Sequence, residues 1–331
     1  METAMIKNRY ETIYPKLVNL FSWTVDKRVL LSIAGIYALG EKGFDAGRLR
    51  EVADALKKRS GLFSPVRGQF HPLISALLDA SGEGELPQEM ADDLFEKQEI
   101  LQGLGFRNTI HSYLAATLLS DEEGEARREA IAGKMLFDEM KQRHRILTSD
   151  DDYTFAVLLG SQAISPSELA EVMHQYYQDL KTRGFRFGNE LQWMSQTITY
   201  GNAAFEESRA EKASEIRNRL KAEGLKVKPL HYPAIGLLTV FHVEQSQVEH
   251  IVETAKALSE MKLFRWYKEM ALSAAIQSVL MEMTTGEQAA HIGIAASVEQ
   301  VLRAQQAIMA SSGAAAAAAA ASAGGGGDGG S

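Results

Sequence analysis

Residues 103–107 read GLGFR, and the chain soon turns strongly apolar, YLAATLL at 113–119. A helix often ends with a glycine in the left-handed conformation, because glycine has no Cβ to clash there. An apolar residue after it then folds back on the last turn. Gly105-Phe106 fits that pair, as do Gly61-Leu62 in RSGLF (59–63), Gly184-Phe185 in TRGFRF (182–187) and Gly224-Leu225 in AEGLK (222–226). RHRIL (143–147) and SEMKLF (259–264) hold the same place without the glycine. Anchored on Gly61, Gly105, Ile146, Gly184, Gly224 and Lys262, the unit recurs about every 40 residues, the length of two helices with their loops. An earlier copy fits too: a helix over 2–20, a turn near Trp23, then VDKRVLLSIAGIYAL.

The two helices of each unit differ in kind. The first is amphipathic and charged, as in LAEVMHQYYQDLKTR (169–183), with apolar residues at helical spacing. The second is apolar nearly all round: PLISALLDA, TFAVLLGS, AIGLLTVF, ALSAAIQSVL. The second helices therefore form the buried layer and the first the outer layer. The pattern predicts an all-α fold of about seven stacked antiparallel helix pairs, plus a C-terminal helix over 291–309 that caps the array. An open α-solenoid and a closed α/α toroid both satisfy it. Residues 1–310 read as a single helical-repeat domain. Residues 311–331 form a low-complexity Ala/Gly tail, expected to be flexible.

Composition narrows the function. Of 331 residues, 35 are basic and 43 acidic, a net charge of −8, which disfavours nucleic acid as a partner. The absence of cysteine excludes disulfide frameworks, thiolate catalysis and Cys-ligated zinc. Only 7 prolines favour long helices. The first 21 residues carry charge throughout, with no apolar core of a secretory signal. No apolar run approaches the ~18 residues of a membrane span. A soluble, cytoplasmic protein with no membrane association is expected.

Charge is patterned along the chain. Arg59, Arg67, Arg107, Arg143, Arg145, Arg183, Arg186, Lys226, Lys228 and Arg265 cluster at the turns from first to second helix. Glu83, Glu85, residues 121–123, Glu168, Glu206, Glu207 and Glu244 cluster at the opposite turns. Stacking would align them into a basic and an acidic rim. Such charges complement helix dipoles. Alternatively, Arg67, Arg107, Arg145, Arg186 and Lys228, with Phe63, Phe106, Phe187 and Trp266, form a rim that binds an acidic peptide or an anionic ligand.

Candidate chemistry is sparse. Asp150, Asp151 and Asp152, in LTSDDDYTF, stand at the start of a buried helix. They suit helix capping, and Asp151 and Asp152 are weak candidates to hold Mg²⁺ or Ca²⁺. DDLFE (92–96) reads as a solvated helix face. His71, His111 and His231 lie near starts of second helices without a metal-ligand spacing. No cofactor is expected.

RSGLFSPVRG (59–68), LTSDDDYTFAVLLG (147–160) and the recurrent GF/GL turns resemble the bacterial family known as domain of unknown function 4003. The resemblance spans roughly residues 10–283 and leaves the Ala/Gly tail outside. It implies an all-helical cytoplasmic protein and no particular activity. The reading that follows is a helical-repeat scaffold for a protein or peptide, with self-association left open. The alternative is an α/α-toroid hydrolase or transferase, with Asp150–Asp152 and Arg67, Arg107, Arg145 and Arg186 in a pocket at the starts of the inner helices.

Overall fold

The computed structural model describes residues 1–21, 25–82, 84–162 and 164–285. The expected turn at Trp23, the helix over 291–309 and the tail over 311–331 lie outside the described residues. Among the described residues the chain is all helical, with fourteen α-helices and no strand. They come in seven adjacent pairs: α1 (Thr3–Phe21) with α2 (Lys27–Leu39), α3 (Ala46–Arg59) with α4 (His71–Ser81), and α5 (Pro87–Gly103) with α6 (Ile110–Ala116). Next come α7 (Glu123–Arg143) with α8 (Tyr153–Gly160) and α9 (Pro166–Thr182) with α10 (Asn189–Ile198). The last are α11 (Glu207–Ala222) with α12 (Tyr232–Val240) and α13 (Gln245–Ser259) with α14 (Lys268–Thr285).

The sequence contrast between partners sets the layers. Helix α9 buries Leu169, Ala170, Val172, Met173, Tyr176, Tyr177 and Leu180 along one face and turns its charged residues to water. Helices α8 and α12 are buried at every position, which an apolar surface all round requires. Odd-numbered helices are thus outer and even-numbered helices inner. Pairing in α7 and α8 is close enough to need glycine: a Cβ on Gly160 would lie 2.6 Å from the Gly133 nitrogen.

Each outer helix packs on the next, and α13 packs on α1 while α14 packs on α2. The order of neighbours therefore returns to its start. Thr3 and Thr254 share a hydroxyl hydrogen bond of 2.8 Å, and the Tyr10 ring meets Phe264 edge-on at 5.1 Å. Arg28 stacks on Tyr267 at 5.3 Å.

Three of the four predicted glycine turns form. Gly105, Gly184 and Gly224 have φ of 93°, 82° and 83°. The following N–H groups of Phe106, Phe185 and Leu225 donate to Leu101, Leu180 and Leu220 carbonyls at 3.2, 3.1 and 3.1 Å. That bond and its companion define the Schellman end. The fourth differs. Helix α3 ends at Ser60 in extended backbone (φ −78°, ψ 140°), so Leu62 never folds back.

Candidate functional site at the hairpin tips

The turns from outer to inner helix gather at one end of the molecule. Asn189 Nδ2 donates to Asp151 Oδ2 at 3.0 Å, Arg107 reaches Asp150, and Lys228 Nζ reaches Glu269 at 3.2 Å. These bonds join neighbouring tips.

The same clasp builds two of the junctions. The Phe106 ring packs edge-on against Tyr153 at 4.7 Å, and the Arg107 N–H donates to the Tyr153 hydroxyl at 3.2 Å. Two hairpins further on, Phe185 packs on Tyr232 at 4.9 Å, and the Arg186 N–H donates to the Tyr232 hydroxyl at 3.3 Å. A glycine turn thus aims its phenylalanine inward, under the next inner helix. Phe106 is 2% exposed, which corrects its place among the rim aromatics: the backbone turn that made it conspicuous is what buries it.

The rim cations divide. Arg67 is held by neutral oxygens, with Nε donating to Ser60 Oγ at 3.0 Å and Nη2 to the Ser60 carbonyl at 3.0 Å, and has no acidic partner among the described residues. Arg107 clamps Asp150 Oδ1 through Nε at 2.9 Å and Nη2 at 2.5 Å. Lys228 pairs with Glu269. Arg145 and Arg186 stand exposed at the tips. Arg143 and Arg183 point down the outer face, to Glu171 at 3.4 Å and Glu207 at 2.9 Å on the following helix.

Large apolar side chains crowd the same end. Phe63 is 100% exposed, Ile146 95%, Leu62 80%, Trp266 77% and Phe187 70%. They come from four separate hairpins. Sequence reading placed Phe63, Phe187 and Trp266 here but took Leu62 as a fold-back residue and Ile146 only as a spacing anchor. The missing glycine in RHRIL was the available signal, since without a Schellman turn Ile146 has no route inward.

The three aspartates have three fates. Asp150 pairs with Arg107. Asp151 accepts from Asn189 and from the Ser149 hydroxyl. Asp152 is buried, with Oδ2 accepting the Ser149 N–H at 3.0 Å and Oδ1 accepting Gln192 and Gln196 amides at 3.0 and 2.7 Å. Burial first, then the charge of Asp151, pushes its pKa up to about 7. His111, largely enclosed, has its pKa lowered by burial against the pull of Asp151 and Asp150. The predicted cap is thus partly realised, through Asp152 and the Ser149 N–H. Among the described residues no three His, Cys, Asp or Glu side chains gather as a metal site. In DDLFE the aspartates are surface groups held in ion pairs, Asp92 with Arg59 and Asp93 with Lys97, while Leu94 and Phe95 are buried in the core.

His231 is structural. Its Nδ1 accepts the Lys228 N–H at 2.9 Å and its Nε2–H donates to the Glu269 carbonyl at 3.0 Å. The ring pins the start of α12 to the start of α14. Complete burial pushes its pKa down to about 4.

Fold and site together define an all-helical protein of paired helices with a cationic, apolar tip end. The chain belongs to the family described as protein of unknown function (DUF4003), which matches residues 13–307. It is similar to the uncharacterized protein YeaA of Bacillus subtilis (strain 168), with 26% identity over 307 residues, 90% of this chain and 91% of that protein. No solved structure matches it. No described helix is long and apolar enough to cross a membrane.

Proposed function

We propose that the chain is a helical-repeat scaffold of the cytoplasm that docks an acidic protein on its hairpin-tip end. The observation that carries this is the exposure of Leu62, Phe63, Ile146, Phe187 and Trp266 at one end, interleaved with Arg145, Arg186 and Arg265. Aromatic and arginine side chains are the residues enriched at protein interfaces. Exposed apolar groups of this size on a single face mark an interaction site. The tips are spread over separate hairpins, which suits a broad folded surface. The cations supply steering and orientation toward an acidic partner.

The test is site-specific photo-crosslinking in cells. A crosslinking residue at Phe63 or at Phe187 should trap the same acidic protein. One at Met135, an apolar position 54% exposed on outer helix α7, should not. Arg145→Glu with Arg186→Glu should abolish the tip crosslinks. Equal trapping at Met135 would overturn the assignment. Trapping of a second copy of this chain, or tip-dependent retention by anionic vesicles, would replace the acidic protein by that occupant.

The α/α-toroid hydrolase or transferase reading is supported by Asp152, whose pKa of about 7 is raised by burial and by Asp151, the carboxylate that also acts on His111. The circular order of helix pairs suits it as well. Against it, Asp152 is 1% exposed and both its oxygens accept hydrogen bonds from the protein. The enclosure suits a polar tie between α8 and α10.

A further inference from the structure

Helices α1 and α3 part near the tip end and leave a cavity of about 470 Å³ between the last turn of α1 and the exposed flank of α3. That volume is in the range of small-molecule sites. Its two sides differ in chemistry. Leu20, Phe21 and the buried Ala53 give an apolar wall with one aromatic ring. Arg50, Lys57 and Arg67 line the other side.

The charge there is left uncompensated. Among the described residues no ion pair engages Arg50, Lys57 or Arg67. Other cations of the same end have acidic partners, as Arg59 has Asp92 and Arg107 has Asp150, so the unpaired set around this cavity is not imposed by a shortage of surface carboxylates. Arg67 is oriented by the Lys57 and Ser60 carbonyls and the Ser60 hydroxyl, which fix its guanidinium without cancelling its charge. Asp54 adds one carboxylate to the lining. His71, lowered in pKa chiefly by burial, is tied to the Val66 carbonyl at 3.1 Å and adds no full charge at neutral pH.

We propose that this cavity is a binding site for a small organic phosphate monoester, with its phosphate on Arg50, Lys57 and Arg67 and its apolar body against Phe21 and Leu20. Three cations against one carboxylate suit a dianion. Arginine's fork matches phosphate geometry, and the partly enclosed setting strengthens the pairing relative to bulk water. The apolar wall distinguishes an ester from the free ion. The site is independent of the tip-end docking reading, because none of its residues belongs to the exposed apolar set.

Calorimetric titration of the full-length protein decides it, with phenyl phosphate, inorganic phosphate and phenol as probes. Phenyl phosphate should bind saturably, at least tenfold more tightly than inorganic phosphate, and phenol should not bind measurably. Arg50→Gln with Lys57→Gln should weaken phenyl phosphate at least tenfold. Both side chains are exposed, so an unchanged melting temperature will show that the fold is intact. Equal affinity for phenyl phosphate and inorganic phosphate would remove the ester from the assignment. Equal affinity for phenol would remove the cations. Undiminished binding in the double variant would place the ligand elsewhere and overturn the site.

Discussion

The hydroxyl of Tyr153 accepts the backbone N–H of Arg107 at 3.2 Å while its ring packs on the neighbouring Phe106 at 4.7 Å. One side chain thereby fixes a glycine turn of one hairpin to the inner helix of the next. Tyr153→Phe should cost roughly 1 kcal/mol, the net value of a single hydrogen bond. Phe106→Ala should cost about 3–5 kcal/mol as a buried aromatic deletion. Phe63→Ala, at a fully exposed position, should leave stability within about 0.5 kcal/mol. Urea denaturation of the three variants checks this. A large loss at Phe63 would mean that it packs in solution.

Glycine replacement separates the turn types. Gly184→Ala forces an L side chain to φ 82° and should destabilise by about 1–2 kcal/mol. Gly61 is outside the left-handed region, and an added Cβ meets nothing within 4 Å. Gly61→Ala should be neutral or slightly stabilising. Similar losses at both positions, read from thermal melts, would contradict the turn assignment.

Asp152 and His231 give opposite pH slopes. The folded-state pKa of Asp152 is raised from 3.8 to about 7. The folded state therefore holds its proton more tightly, and the associated stability is full below 3.8 and lost as pH rises through about 7. Asp152→Asn removes that loss. Its stability relative to wild type should rise between pH 4 and pH 8, by up to a few kcal/mol at ~1.4 per pKa unit. A flat difference across that range would show that the carboxyl is ionised throughout.

His231 is lowered from 6.5 to about 4. Its contribution is intact above 6.5 and lost as pH falls from 6.5 through about 4, because the unfolded chain takes up a proton that the buried ring refuses. The loss reaches a magnitude on the order of 3 kcal/mol. His231→Phe should be less stable at pH 7, since it strands the Lys228 N–H and removes the tie to the Glu269 carbonyl, yet should lose less on acidification. Chemical denaturation at pH 7 and pH 5 reads both effects. An unchanged acid response would assign the wild-type loss to other groups.

The arginines at the ends of outer helices offer a weaker test. Arg183 pairs with Asp179 and Glu207 at 2.6 and 2.9 Å, near solvent. Arg183→Ala should cost no more than ~1 kcal/mol, and less at high salt. A salt-independent loss of several kcal/mol would require a packing role for its stem.

Much of this fold was legible because helix-end chemistry is local. GLGFR and TRGFRF specify a glycine conformation and a fold-back residue within a few positions, and both turns form as read. RSGLF carries the same letters but precedes Ser64-Pro65, and its chain leaves α3 in extended backbone. The fate of the apolar side chain is less local. Phe106 was conspicuous in sequence as an aromatic beside an arginine, and only the distant Tyr153 and Phe137 settle that it is buried. The aspartate run was legible as a helix start. Its division among Arg107, Asn189 and the two glutamines depends on tips from other hairpins, which no local pattern encodes. The meeting of α1 with α13 was equally hidden, since open and circular arrays use the same amphipathic outer helices. The engagement of Arg107 by Asp150 and of Lys228 by Glu269 follows from three-dimensional pairing between hairpins, which no local pattern encodes.

The bond between Thr3 and Thr254 joins positions 251 residues apart. At ~5–20 residues per second of synthesis, the first helix waits on the order of ten to fifty seconds for the segment it finally rests on. During that interval the edge of α1 destined for α13 has no cover on the growing chain. Ribosome-bound intermediates of this protein should therefore be clients of a holdase chaperone until the seventh pair emerges, and translational pausing before α13 should lengthen that dependence.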